Sequence, residues 1–168
     1  MKQWLLIGAI VAGLGGTLTA TGFALLATDA ATPTDPIQHG KYLTLIGGCH
    51  DCHTPGYAAK EGNVPEDRWL IGDSVGYSGP WGTTYASNLR TLMSTMDENE
   101  WVEYARNLKT RPPMPWFNLK AFAPDDLRSM YRYVRSLPTN HSDVPEYVPP
   151  GRKPATPHIV MVPQPPKQ

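Results

Sequence analysis

The run Cys49-His50-Asp51-Cys52-His53 constrains this chain more than any other feature, because it contains both cysteines of the 168-residue sequence. Two thiols three positions apart, with a histidine directly after the second, form the attachment pattern of a c-type haem. Each sulfur can add to one vinyl group of the porphyrin, and the histidine then becomes the proximal iron ligand. The motif therefore predicts a fold built around one covalent haem c, with Cys49 and Cys52 as the thioether residues and His53 as the proximal ligand.

Other chemistries fit these five residues less well. A structural zinc site needs about four Cys or His ligands, whereas His39, His141 and His158 stand apart from the motif. A thioredoxin-like C-x-x-C belongs beside a βαβ pattern, and the sequence has no such pattern. A disulfide between the two cysteines would leave His53 unexplained. We expect His50 to be a solvated bystander, and His39 to have a capping or packing role.

The first 31 residues have the character of an export segment, since no charged residue occurs between Lys2 and Asp29. This uncharged stretch is long enough to cross a bilayer, for which about 20 residues suffice, although glycines and threonines dilute its hydrophobicity. A signal peptide usually has a shorter apolar region. Residues 1–31 are predicted to be either a signal peptide or an N-terminal apolar helix that anchors the protein in the membrane. Both alternatives place the haem domain in the periplasm.

Composition limits the fold and the partners. The 15 basic and 15 acidic residues cancel, which argues against a nucleic-acid partner. The 18 prolines and 15 glycines argue against a β-sandwich or a regular helical bundle. We predict an all-α cytochrome c domain over residues 32–138, with three to four helices and long loops around the haem. Residues 139–168 are predicted to be a Pro-rich tail, extended or disordered.

Capping residues and apolar spacing place the regular elements. Three helices are predicted, over residues 36–46, 97–108 and 124–137. Asp35 is expected to cap the first helix, and Asp97 with Glu100 to form a capping box on the second. Residues 61–87, rich in glycine and aromatic side chains, are predicted to form a long loop around the haem edge.

Met114 is the predicted distal ligand of the haem iron. Three prolines flank it, and they restrict its backbone to extended geometry. A neutral, soft ligand held by a rigid segment is what a His/Met haem requires. Met93 and Met96 are alternatives, whereas Met130 lies on the apolar stripe of the last predicted helix and is expected in the core.

Taken together, these residues resemble a class I c-type cytochrome, in particular the single-haem domains of alcohol and gluconate type dehydrogenase subunits of the bacterial periplasm. The resemblance rests on His39–Leu43, Cys49–His53, Tyr85–Leu89, Met114–Trp116, Asp126-Leu127, Tyr133-Val134 and Ser136–Pro138. It implies a first helix that crosses the last, with Gly40 allowing close approach to the Tyr131–Val134 surface, and it implies Met114 as distal ligand. Those subunits often carry three haem domains, whereas this chain has one motif.

The expected function is one-electron transfer without substrate chemistry. The expected partners are redox proteins: a dehydrogenase, including a membrane-bound one on which the protein could assemble as a subunit, and the respiratory chain. The alternative is a haem protein with an open sixth site, acting as a peroxidase-like enzyme or a gas sensor. The identity of the sixth ligand separates the two alternatives, because a thioether on the iron favours the ferrous state and blocks small molecules.

Overall fold

The computed structural model of the protein describes residues 32–166. The predicted signal peptide or apolar anchor helix of residues 1–31 lies outside this range. Between residues 32 and 166, no helix is both long enough and apolar enough to cross a membrane.

The described chain contains more regular structure than the sequence predicts. Its helices are α1 (Pro36–Ile46), α2 (Cys49–His53), α3 (Leu89–Ser94), α4 (Glu98–Asn107), α5 (Trp116–Ala121) and α6 (Pro124–Ser136). Its strands are β1 (Gly76–Gly79), β2 (Gly82–Thr84) and β3 (His158–Val160), which form a mixed sheet in the order β2-β1-β3. The prediction of an all-α fold with three to four helices is therefore wrong.

Helix α1 begins and ends where the sequence predicts. The Asp35 carboxylate accepts hydrogen bonds from the backbone N–H groups of Ile37 and Gln38, which would otherwise have no partner at the helix start. The helix ends at Gly47, and Gly48 then adopts a left-handed conformation with φ of 68°. This turn leads directly into α2, so the end of α1 fixes where the Cys49–His53 motif lies.

Helix α1 packs across α6, and Gly40 makes this close crossing possible. A Cβ atom at Gly40 would collide with the backbone carbonyl of Ser129 and would lie 2.8 Å from the Cβ of Tyr133. The expected close approach of Gly40 to the last helix is therefore confirmed. The crossing helices bury one face of each in the core, and Met130, as predicted, is a core residue with 2% of its surface exposed.

Helices α4 and α6 also agree with the sequence. The Asp97 carboxylate accepts from the N–H of Glu100, and the Glu100 carboxylate accepts from the N–H of Asp97, so the predicted capping box is present. On the buried side of α4, Trp101 donates its indole N–H to the backbone carbonyl of Leu127, 2.9 Å away in α6. This bond ties α4 to the helix that α1 crosses.

Residues 61–87 are not one long loop, because they contain the β1–β2 hairpin. Tyr77 pairs with Thr84 across the two strands, and Gly79 pairs with Gly82 beside the turn. Gly82 has a φ of 94°, a conformation that favours glycine. The Gly-Pro-Trp-Gly turn between Tyr- and Thr-containing segments is a hairpin signal that the composition of the region obscures.

The tail after Pro138 runs extended along the domain. Strand β3 pairs in parallel with β1, and Val148 exchanges two backbone hydrogen bonds with Thr83 at 2.8 and 3.0 Å. Earlier in the tail, Asn140 accepts hydrogen bonds from the side chains of Asn88 and Thr91, at the start of α3. The tail therefore contacts both the hairpin and α3.

Candidate haem site

One cleft contains all four residues predicted to hold a haem. It encloses about 1180 Å³ of empty space, part of it open to solvent. Its walls come from α2, α3, α4 and α6, from the hairpin and from the segment between α4 and α6. The apolar and aromatic residues lining it include Tyr77, Tyr85, Leu89, Leu92, Met93, Trp101, Tyr104, Leu108, Leu119, Phe122, Met130 and Val134. A flat apolar cofactor fits such a surface.

Cys49 and Cys52 lie one turn apart on α2 and both line the cleft. Residues spaced by three on a helix share one face, so the α2 geometry presents both sulfurs to the same space. The two sulfurs are not bonded to each other. Burial raises the pKa of Cys49 to about 11, so this thiol stays protonated at neutral pH and is a poor thiolate nucleophile.

His53 is held as a neutral imidazole with one nitrogen committed to the protein. Its Nδ1 lies 2.7 Å from the backbone carbonyl oxygen of Ser87, which can only accept, so Nδ1 carries the proton and donates. Burial lowers the pKa of His53, which favours the uncharged ring. The other nitrogen, Nε2, is then unprotonated and can bind a metal. Metal-binding histidines commonly donate their second ring N–H to a backbone carbonyl in this way.

Met114 lines the same cleft from the segment between α4 and α5. It is half-buried and packs against the core. Its carbonyl oxygen accepts from the N–H of Trp116 at 2.9 Å, which fixes its position relative to the start of α5. The cleft therefore offers a thioether together with the two thiols and the imidazole.

Two further methionines line the cleft, and they differ from Met114 in their surroundings. Met93 on α3 and Met130 on α6 are 1% and 2% exposed and belong to the hydrophobic core. Met96 does not line the cleft but packs at the edge of the core. Of the two alternative sixth ligands predicted from the sequence, Met93 therefore lines the cleft and Met96 does not.

His50 is not a solvated bystander, because only 1% of its surface is exposed. The Thr44 hydroxyl donates to the Lys41 carbonyl oxygen at 2.8 Å, and it can accept from His50 Nε2 at 3.3 Å. On the other side of the ring, the Thr54 oxygen accepts from the N–H of Leu70 at 2.8 Å and can donate to His50 Nδ1 at 3.0 Å. His50 therefore ties α2 to α1 and to the following loop.

His39 has the structural role expected for it. Its Nε2 lies 2.8 Å from a carboxylate oxygen of Asp126 at the start of α6, and it does not line the cleft. The pair joins the beginning of α1 to the beginning of α6. His39 is thus separate from the haem site.

The hairpin lies in the segment predicted to surround the haem edge, and it brings to the cleft Tyr77 together with Thr84, which the sequence did not single out. Burial and a hydrogen bond with Cys52 raise the pKa of Tyr77, so its phenol stays protonated. Thr84, opposite Tyr77, also lines the cleft, and its buried hydroxyl has no hydrogen-bond partner among residues 32–166. A polar atom without a partner beside an apolar cleft fits a cofactor that carries polar groups of its own. The hairpin signal described above would have identified these residues.

Among residues 32–166, the cleft included, no group of three or more His, Cys, Asp and Glu side chains is placed to hold a metal ion. Comparison of the chain with protein-family models, with curated proteins and with solved structures finds no match.

Proposed function

We propose that the protein is a class I c-type cytochrome that transfers single electrons through one covalently bound haem with His/Met ligation. The observation that carries this proposal is the meeting of Cys49, Cys52, His53 and Met114 in one apolar cleft. The two cysteines lie three positions apart in the motif, but Met114 is 61 positions beyond His53. Only the tertiary fold brings that thioether to the cleft that the motif borders.

Each residue has a defined part in this proposal. Cys49 and Cys52 hold the cofactor covalently, and the raised pKa of Cys49 keeps its thiol protonated before attachment. His53 provides Nε2, because Nδ1–H is bound to Ser87. Met114 provides the distal thioether, and the apolar walls exclude water. When bound, the haem supplies the ferric/ferrous couple, and a thioether ligand raises its potential by favouring the ferrous state.

We further propose that the protein works in the periplasm, between a dehydrogenase and the respiratory chain. Thioether attachment of haem belongs outside the cytoplasmic membrane, and the sequence begins with an uncharged export-like stretch. A haem protein that only carries electrons receives each one from a redox protein and passes it to another. The resemblance to dehydrogenase subunits favours a dehydrogenase as the donor.

Carbon monoxide binding to the reduced holoprotein tests the proposed ligation. Because a bound thioether blocks the sixth position, we expect little spectral change on CO addition to the wild type and full conversion in Met114→Ala. Met96→Ala is the matched control, since Met96 packs near the core but does not line the cleft. We expect it to behave like the wild type.

Two volume-conserving variants, Met93→Leu and Met130→Leu, identify the ligand if Met114 is not the one. Should CO bind fully to Met93→Leu while Met114→Ala stays closed, the ligation would still be His/Met but the assignment of Met114 would be wrong. Immediate, complete CO binding by the wild type would contradict a ligated sixth site. It would favour the alternative of a peroxidase-like enzyme or gas sensor.

A further inference from the structure

The segment that carries Met114 has few backbone hydrogen bonds. Helix α4 ends at Asn107 and α5 begins at Trp116. Within the part of the chain that the structure describes, the backbone groups of residues 109–113 form no hydrogen bond. The position of this segment must therefore be set by side-chain contacts and by its two ends.

Arg111 provides the clearest of those side-chain contacts. Its guanidinium carbon lies 3.7 Å from the centre of the Tyr147 ring, a close stacking distance. A planar guanidinium stacked on an aromatic ring is attracted both by the cation–π interaction and by dispersion. Arg111 is joined to Met114 by Pro112-Pro113, whose backbone freedom is small. A constraint on Arg111 is therefore transmitted to Met114.

Tyr147 is itself fixed to the β1–β2 hairpin. Its hydroxyl donates to the backbone carbonyl oxygen of Trp81 in the hairpin turn, at 2.8 Å. The next residue, Val148, exchanges two hydrogen bonds with Thr83. A Cβ atom at Gly82 would collide with the Val148 carbonyl oxygen, so the tail and the turn are in direct backbone contact. The hairpin that holds Tyr147 also contributes Tyr77 and Thr84 to the cleft.

From these contacts we infer that Arg111 and Tyr147 form a positioning pair that holds the Met114 segment against the hairpin and so keeps the distal thioether in place. The tail thereby acts on the sixth position although it supplies no ligand. This inference rests on the proposed function, since it requires Met114 to be the distal ligand. Arg111 and Tyr147 are positioning residues, because neither lines the cleft.

The rate of CO binding to the reduced holoprotein measures the effect directly. CO can bind only when the thioether has left, so the rate reports the fraction of molecules in which the sixth position is open. Tyr147→Leu and Arg111→Gln should each raise the rate about three- to ten-fold, the size expected for loss of one cation–π contact. The CO-binding rate of the double variant should be only slightly higher than that of either single variant, because both changes break the same contact.

Conservative variants separate positioning from general destabilisation. Tyr147→Phe keeps the stacked ring and loses only the hydrogen bond to Trp81, so its rate should stay within about two-fold of the wild type. Arg111→Lys keeps the charge but not the planar group, and it should open the site partly.

The control Thr91→Val removes a different tail contact, to Asn140, and should leave the rate unchanged. If Tyr147→Leu fails to fold, Arg111→Gln at an exposed position carries the test.

A second readout is the reduction potential, which should fall in Tyr147→Leu and Arg111→Gln because the thioether favours ferrous iron. Unchanged rates and potentials in both variants would overturn the positioning role while leaving His/Met ligation intact. A wild-type protein that binds CO as fast as Met114→Ala would overturn both the positioning role and the proposed ligation. The two failures are therefore distinguishable in one series of measurements.

Discussion

His50 and His53 lie three residues apart in α2, and the two histidines differ in the hydrogen-bond partners of their ring nitrogens. His53 commits Nδ1 to a backbone carbonyl and leaves Nε2 without a proton. His50 has a threonine hydroxyl at each nitrogen. Burial lowers the pKa of both rings, so both are neutral at pH 7. The same physical cause therefore makes one histidine a potential ligand and the other a structural tie.

The buried neutral form of His50 makes stability depend on pH. Burial lowers its pKa from 6.5 to about 4, so the unfolded chain takes up a proton as the pH falls through 6.5, whereas the folded chain does so only near pH 4. The stability that neutral His50 contributes is fully present above about pH 6.5 and is lost between 6.5 and 4. We expect the urea midpoint of the holoprotein to fall over this interval.

His50→Gln is the matched variant, because a glutamine amide can still form hydrogen bonds but does not titrate in this range. Its urea midpoint should fall less than that of the wild type between pH 6.5 and 4. Parallel pH profiles for the two proteins would show that His50 does not carry the dependence.

At the residue scale, the C-x-x-C-H pattern was enough to predict the chemistry that we propose for Cys49, Cys52 and His53, because that chemistry is local to five residues. It could not specify the burial of His50, which depends on Trp69 and Tyr57 packing on its ring from the following loop. Nor could it identify Ser87 as the partner of His53, since a backbone carbonyl has no sequence signal. The burial of His50 and the partner of His53 both depend on contacts with residues outside the motif.

At the scale of elements, the crossing of α1 over α6 depends on the absence of a side chain at Gly40. Gly40→Ala should push the helices apart and lower the free energy of unfolding by about 1–3 kcal/mol, as overpacking in a core does. Gln38→Ala, at an exposed position of the same helix, should change it by less than about 0.5 kcal/mol. Equal values for the two variants in urea unfolding would contradict the role assigned to Gly40.

Arg90 joins three elements through backbone carbonyls and is only 4% exposed. Its guanidinium donates to the carbonyl oxygens of Glu66 and Trp69, in the loop after α2, and to that of Pro138 after α6, at 2.7 to 2.9 Å. Arg90→Met should leave the carbonyls of Trp69 and Pro138 without partners, since only that of Glu66 also accepts from a backbone N–H, and it should cost more than about 3 kcal/mol of unfolding free energy.

The control for this change is Arg135→Met, at an exposed position of α6, which should cost less than about 0.5 kcal/mol. Calorimetry or urea unfolding measures both variants. A small loss for Arg90→Met would mean that water replaces the guanidinium at these carbonyls. The sequence offered no sign of this role, because the partners of Arg90 are main-chain atoms far along the chain.

The helices with strong end signals were predictable, whereas the pairing of β3 with β1 was not. Asp35, Asp97 and Glu100 marked helix starts because their side chains bond to neighbouring N–H groups. Strand β3 pairs with β1 about 80 positions earlier in the chain, and such a pairing leaves no local pattern in three residues. The prediction of an all-α fold failed for that reason.

At the scale of the whole molecule, the tail belongs to the described domain through specific hydrogen bonds. The N–H of Val148 donates to Thr83, and that of Met161 donates to Ser78 at 2.8 Å. In hydrogen exchange on the holoprotein, these two amides should exchange more slowly than the amide of Gln164, whose backbone N–H has no such partner in the described chain. Equally fast exchange at all three positions would mean that the tail is not bound to the hairpin.

The intact mass of the exported protein, measured under denaturing conditions, tests the central claim most directly. The protein should be produced in a host that attaches haem c, with Cys49→Ser/Cys52→Ser as the matched variant. We expect the wild type to carry the mass of one haem per chain after denaturation and the variant to carry none. A wild-type chain without added haem mass, from a host that loads a known c-type cytochrome in parallel, would contradict the account.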